Sequence, residues 1–204
     1  MKRLMVGHLY CWSVFSEPRQ MDFNGHLWVR PEGNILIDPP PMIASDLAQL
    51  HSLGKTEYIV ITNRDHEREA FFFQKETGAQ IVIHTADASQ LAHPADRTIT
   101  DQEAIVPGLI AISLHHGKSP GEIALYFSEE KIILFGDHVI GRPMGALSFL
   151  EAEKFQNPNL AREEVQKLLS LSFDAVLVGD GHSILTYARE SLTDCLNRAR
   201  ATSH

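Results

Sequence analysis

Three short apolar runs, each leading into residues that can bind a metal or move a proton, limit what this chain can become. The runs are Tyr58-Ile59-Val60-Ile61-Thr62, Ile132-Ile133-Leu134-Phe135-Gly136 and Ala175-Val176-Leu177-Val178-Gly179. They are too short for buried helices, rich in β-branched side chains and lack polar alternation, so they read as strands covered on both faces of a sheet. Shortly after them come Asp65-His66, Asp137-His138 and Gly181-His182. Carboxylate and imidazole are the donors a hard-to-borderline divalent ion takes, and three strand ends aimed at one rim make a candidate metal site.

The 204 residues, 44% apolar and 22% charged, suffice to bury one large core. No Ser/Gly-rich linker or low-complexity tract divides them, so a single domain over residues 1–204 is expected. The formal charge of -8 argues against a nucleic-acid surface and leaves a small-molecule substrate as the expected partner. Cys11 and Cys195 lie near opposite ends without Cys-x-x-Cys spacing, which excludes a thiolate zinc knuckle and a disulfide framework and points to a reducing cytoplasm. The stretch from Lys2 to Phe15 does not read as a secretory signal, because His8 and Cys11-Trp12-Ser13 interrupt its apolar centre. Nothing approaches the roughly 18 apolar residues of a membrane span, so no membrane partner is expected. Leu185, Leu192 and Leu196 are spaced to pack within the chain or across a dimer, which leaves monomer and homodimer both open.

Along the chain, extended segments are expected at Leu4-His8, His26-Arg30 and Asn34-Asp38, with Pro31-Glu32-Gly33-Asn34 as a hairpin turn. Ile43, Leu47 and Leu50 recur at helical spacing up to Gly54, and residues 65–77 read as a second helix closed by Gly78. A strand at Gln80-His84 follows. Further strands are expected at 109–114, 122–127 and 131–135, then an irregular Gly/Pro stretch over 141–158, a helix over 160–171, the strand 175–178 and a helix after Ser183. Two β-then-α halves pack most simply as two sheets covered by outer helices.

In their order, these motifs resemble the metallo-β-lactamase superfamily. Asn34-Ile35-Leu36-Ile37-Asp38 resembles the family's early Asp-ended strand, and Ile61-Thr62-Asn63-Arg64-Asp65-His66 stands where the family has His-x-His-x-Asp-His. Gly117-Lys118-Ser119-Pro120-Gly121-Glu122 is similar to its Gly-His-Thr-Pro-Gly-Ser turn, Phe135-Gly136-Asp137 to its bridging aspartate, and Gly179-Asp180-Gly181-His182 to the segment bearing its final histidine. The resemblance implies an α+β fold, an αββα four-layer sandwich of two mixed β-sheets flanked by helices, with metal ligands on loops at one edge. In the family, the first two histidines of the long motif and the turn histidine hold one ion. The Asp-His pair and the last histidine hold a second, with the aspartate bridging. Here the first set reads Ile61, Asn63 and Lys118. An apolar side chain and an ammonium offer a metal no electron pair at neutral pH, and an amide oxygen is a weak ligand. What the resemblance implies is therefore one divalent ion, zinc with iron or manganese as alternatives, on Asp65, His66, Asp137 and His182.

Each candidate also has an ordinary structural role to weigh. Asp65 can cap free N–H groups at a helix start for about 1 kcal/mol, which is compatible with ligation. Asp180, like Asp38, can accept from the second ring nitrogen of a ligating histidine. Lys118 either replaces the lost ion electrostatically beside Asp137 or is an exposed lysine. Were that turn to shift, His115 and His116 would be replacement ligands. His138 competes with Asp137, because adjacent side chains of a strand face opposite ways. Asn63, His84 and Arg142 are rim candidates.

The function this implies is hydrolysis of an ester, thioester, lactone or phosphodiester by a mononuclear metal enzyme, with metal-activated water as nucleophile. Asp65 or Asp137 would be general base, and Lys118 would stabilise the developing oxyanion. Two aspartates and two histidines already close a tetrahedral shell, so coordination must expand or Asp137 must turn to Lys118. The competing class is a non-catalytic binding or scaffold protein in which a Lys118-Asp137 pair merely neutralises a buried carboxylate. A third is metal-independent acid-base chemistry with His66 or His182 as base.

Overall fold

The computed structural model describes residues 1–201; the last three residues of the expected 1–204 domain lie outside it. One sheet holds seven strands in chain order, namely β1 (Lys2–Arg3), β2 (Leu9–Ser16), β3 (Met21–Trp28), β4 (Asn34–Ile37), β5 (Thr56–Ile61), β6 (Gln80–His84) and β7 (Arg97–Ile99). Pairing is antiparallel from β1 to β4 and parallel from β4 to β7. The second sheet contains β8 (Ala104–Val106), β9 (Leu109–Ser113), β10 (Ile123–Phe127) and β11 (Ile132–Phe135). After a small ladder of β12 (Val139–Ile140) with β13 (Ser148–Phe149), β14 (Ala175–Val178) joins β11 in parallel, giving the order β14-β11-β10-β9-β8. The helices are α1 (Ala44–Ser52), α2 (Ala70–Thr77), α3 (Thr85–Ala88), α4 (Pro158–Lys167) and α5 (Ala188–Ala201).

The three apolar runs become β5, β11 and β14, and burial on both faces explains their unbroken apolar character. Val60, Leu134 and Leu177 meet between the sheets with Ile35, Val82, Ile123 and Leu125. The alternate residues face outward. Ile59 and Ile61 pack with Leu50 of α1 and Phe73 of α2, while Ile133, Phe135, Val176 and Val178 pack with Val165 of α4 and Leu192 and Leu196 of α5. The layers are thus helix, sheet, sheet, helix, the α+β sandwich that the motifs imply.

Local details differ from the sequence expectation. Leu4-His8 is not a strand; Gly7 at φ +57 turns the chain, and the long hairpin is β2 with β3, from Leu9 opposite Trp28 to Ser16 opposite Met21. The helix expected over 65–77 splits into a 3-10 turn at Arg64–His66 and α2, because Arg68 takes φ +41, outside helical space. The helix expected over 160–171 starts earlier, at Pro158. Asn157 caps it by accepting from the N–H groups of Asn159 and Leu160, and proline suits the first turn. No helix of the described residues is long and apolar enough to cross a membrane.

Candidate metal centre

Parallel strands β4, β5 and β6 end at the same edge, as do β11 and β14, so the loops after them converge. Asp38 follows β4, and its carboxylate binds the segment after β5: Oδ1 accepts from Thr62 N–H at 2.8 Å and Oδ2 from Thr62 Oγ1 at 2.6 Å. The same carboxylate lies 2.9 Å from His66 Nδ1, which leaves Nε2 directed to the opposite side. Asn63 caps the 3-10 turn by accepting from Asp65 N–H at 2.9 Å, so the sequence between β5 and His66 is folded by its own polar side chains.

Asp137 follows β11. Buried Glu122 holds its loop, one oxygen accepting from Asp137 N–H at 2.8 Å and His138 N–H at 2.6 Å. Asp137 Oδ1 thereby lies 3.3 Å from His66 Nε2. Asp180 follows β14, with Oδ1 4.0 Å from the same nitrogen. Buried Asn24 of β3 fixes this third loop by donating to the carbonyls of Val178 and Gly181. Gly179 is required for the close approach, since a Cβ there would stand 2.7 Å from His66 Cε1.

Two cations complete the site. Lys118 Nζ bridges Asp65 at 2.8 Å and Asp137 at 3.0 Å. Arg68 donates to Asp180 at 2.8 Å, to the carbonyls of Asn24, Asp38 and Gly179, and approaches His66 Nε2 at 3.4 Å. Burial and the Arg68 guanidinium both push the His66 pKa down, but Asp38 and Asp137 outweigh them and raise it to about 10. Burial would raise Asp137, yet His66 and Lys118 hold it far below the usual carboxylate range. Asp180 is left raised, its burial outweighing His66 and Arg68. Burial opposes the Lys118 charge, but Asp137 and Asp65 keep its pKa above the ordinary lysine value.

These contacts bring together Asp38, Asn63, Asp65, His66, Lys118, Asp137 and Asp180. They do not bring in His182. Gly181 takes φ +86, the His182 N–H donates to the Gly141 carbonyl, and the side chain is exposed. Asp180, expected behind a ligand, is the residue of that segment whose side chain reaches His66. His138 is buried away from the cluster against Glu122, with its ring nitrogen 2.9 Å from the carboxylate. His115 and His116 do not line the central cavity; His115 lines a separate one together with Asp101 and Lys167. His84 bonds Ser113 and the Ala86 N–H, away from the cluster. Arg142 lies at the cavity's rim. Sequence reasoning missed Arg68, whose position depends on a backbone turn that carries no motif.

Among the described residues, His66, Asp137 and Asp180 form a group that could hold an ion, their donor atoms within 4.8 Å of one another. The donor set suits a divalent ion: one imidazole, two carboxylates, and a carboxylate behind the imidazole as ligating histidines require. Beside it, Lys118 Nζ takes Asp65 and the remaining oxygen of Asp137, and Ile61 is packed beneath α1 and α2. An ion on His66 and Asp180 must compete with the Arg68 guanidinium for the same atoms.

The comparisons agree with this fold. The DIM-1 metallo-β-lactamase matches with a TM-score of 0.76 over 95% of this chain and 94% of its own, at 15% identity. TTHA1623, solved in a di-iron-bound form, matches with a TM-score of 0.65 at 24% identity, covering 88% of this chain and 96% of its own. The metallo-β-lactamase FIM-1 from Pseudomonas aeruginosa, solved in a mono-zinc form, matches with a TM-score of 0.68 at 13% identity, covering 94% and 91%. No curated protein matches the chain in sequence. The sequence profile of the metallo-β-lactamase superfamily covers residues 1–198, and with it the strand order and the converging loops, so the chain belongs to that superfamily.

Proposed function

We propose that the protein is a hydrolase of small molecules that works with a single divalent ion, zinc with iron or manganese as alternatives, held by His66, Asp137 and Asp180. The observation that carries this reading is the convergence of the Asp137 and Asp180 carboxylates on His66 Nε2, with Asp38 fixing the ring from behind. Such an ion would polarise a carbonyl or phosphoryl oxygen and make water a competent nucleophile at neutral pH. The chain's own groups have separable tasks. Asp38 and Thr62 orient His66. Asp65, whose side chain is 41% exposed at the cavity, is placed to accept a proton from water, and Lys118 beside it offers positive charge to a developing oxyanion. Asp137, bonded to Lys118 and near His66, links the two halves of the site.

The choice of chemistry is supported by two relatives whose names state a metallo-β-lactamase, one of them solved in a mono-zinc form, and by TTHA1623, solved in a di-iron-bound form. The test is turnover of a panel of esters, thioesters, lactones and phosphodiesters after loading with zinc, iron(II) or manganese(II). Metal-dependent turnover that falls at least tenfold in both Asp65→Asn and Lys118→Met is expected. A protein that takes up one ion and turns over nothing on the panel would overturn the reading.

A second reading, a binding protein without turnover, is favoured by one observation: Lys118 and Arg68 already pair with Asp65, Asp137 and Asp180, so these acids have cationic partners within the chain. The same turnover experiment separates the two.

A further inference from the structure

The cavity above His66 has a volume of about 500 Å³, within the range of small-molecule sites, and its charge is unevenly arranged. On its floor the acids are matched by Lys118 and Arg68. Its mouth carries Arg19, Arg142 and Lys154 from three separate segments, with Glu151 as the acid beside them. Among the described residues, no carboxylate lies within ion-pair distance of any of these three cations, although the chain has 26 acidic residues against 18 basic ones. Arg142 Nη1 donates to the Arg19 carbonyl at 3.4 Å, so the tip of the β2–β3 hairpin and the segment after β12 approach each other across the opening. Pro18, Met21, Phe23 and Leu150 also line the cavity and give it an apolar side.

We propose that this mouth is an anion subsite, so that the molecule the site accepts is an organic anion: a carboxylate or phosphate held by Arg19, Arg142 and Lys154, an apolar body against Met21, Phe23 and Leu150, and the group to be hydrolysed at His66 and Lys118. The guanidinium pair supplies planar donors suited to either oxyanion. Positive charge clustered at the mouth of a chain that is acidic overall also draws anions to this opening. The inference names the substrate class for the hydrolase reading and rests on it for the reacting end, but the binding step needs no ion.

Binding is therefore measured on protein without added metal, by ligand-observed magnetic resonance titration with phenylacetate, phenyl phosphate and the uncharged 2-phenylethanol. Either anion is expected to bind at least tenfold more tightly than the alcohol, and the preferred one tells carboxylate from phosphate. The affinity is expected to fall about tenfold in Arg19→Gln/Arg142→Gln and to rise in Glu151→Gln, all at exposed positions. It also weakens between about 0.01 M and 0.15 M salt, as the Debye length shrinks from roughly 30 to 8 Å. Equal binding of the alcohol, or affinities unchanged in all three substitutions, would overturn the subsite. Failure of the hydrolase reading would instead appear as absent turnover with these anion affinities intact.

Discussion

Arg68 sits on the atoms that a metal ion would need, and replacing it by methionine is the perturbation most sensitive to that competition. Its guanidinium, 10% exposed, donates to Asp180 at 2.8 Å and lies 3.4 Å from His66 Nε2. A charge-assisted hydrogen bond of this kind is worth about 1.5–3 kcal/mol, so an ion that must break the bond to Asp180 binds roughly 10- to 150-fold more weakly than it would otherwise. Arg68→Met is expected to restore that factor in zinc affinity, read by competition against a chromophoric chelator. Without metal the same change leaves Asp180 a buried carboxylate without its cation and removes donors from the carbonyls of Asn24, Asp38 and Gly179, at a cost of about 3–5 kcal/mol in stability. Zinc should therefore raise the melting temperature of the variant more than that of the native protein. A folded Arg68→Met variant that binds zinc no more tightly than the native chain would refute the competition argument.

His26, in the middle of β3, is fully buried, and neither of its ring nitrogens has a hydrogen-bond partner among the described residues. Burial lowers its pKa from 6.5 to about 4. The unfolded chain then takes up the proton first, so stability is full above pH 6.5 and is lost as pH falls towards 4, by an amount of order 3 kcal/mol at about 1.4 kcal/mol per tenfold step. Denaturant titrations at several pH values should show this loss in the native protein and a flatter acid limb in His26→Leu; parallel limbs would remove His26 as the cause. Gly179→Ala should push His66 away from its carboxylate partners, because the added Cβ meets His66 Cε1 at 2.7 Å. Zinc affinity is expected to drop at least tenfold, and an unchanged affinity would show that His66 can shift without loss.

What the sequence makes legible depends on the kind of information each feature needs. β5, β11 and β14 were legible because sheets covered on both faces need unbroken apolar runs, and Asp137 because it directly follows such a run. The β2–β3 hairpin was not. β2 carries Ser13 and Ser16 among exposed Val14 and Phe15, so no apolar stripe marked it. In Gly179-Asp180-Gly181-His182 the sequence offers an acid and an imidazole two positions apart, and only the positive φ of Gly181 decides that the acid turns inward and His182 outward. Arg68 was invisible for the same reason: residues 65–77 suit a helix, and the interruption comes from a left-handed backbone whose side chain is held by five partners distant in sequence or across the site. Lys118 was legible as a departure from the family's turn, and its bridge between Asp65 and Asp137 gives that departure a structural role.

Occupancy of His66, Asp137 and Asp180 by one ion is read by elemental mass spectrometry of tag-free protein purified without chelator, beside His66→Ala, Asp180→Asn and His182→Ala. About one zinc, iron or manganese per chain is expected in the native protein and in His182→Ala, and its loss in His66→Ala and Asp180→Asn. Metal that survives Asp180→Asn and disappears in His182→Ala, or a native protein that binds none even when zinc is supplied, would contradict it.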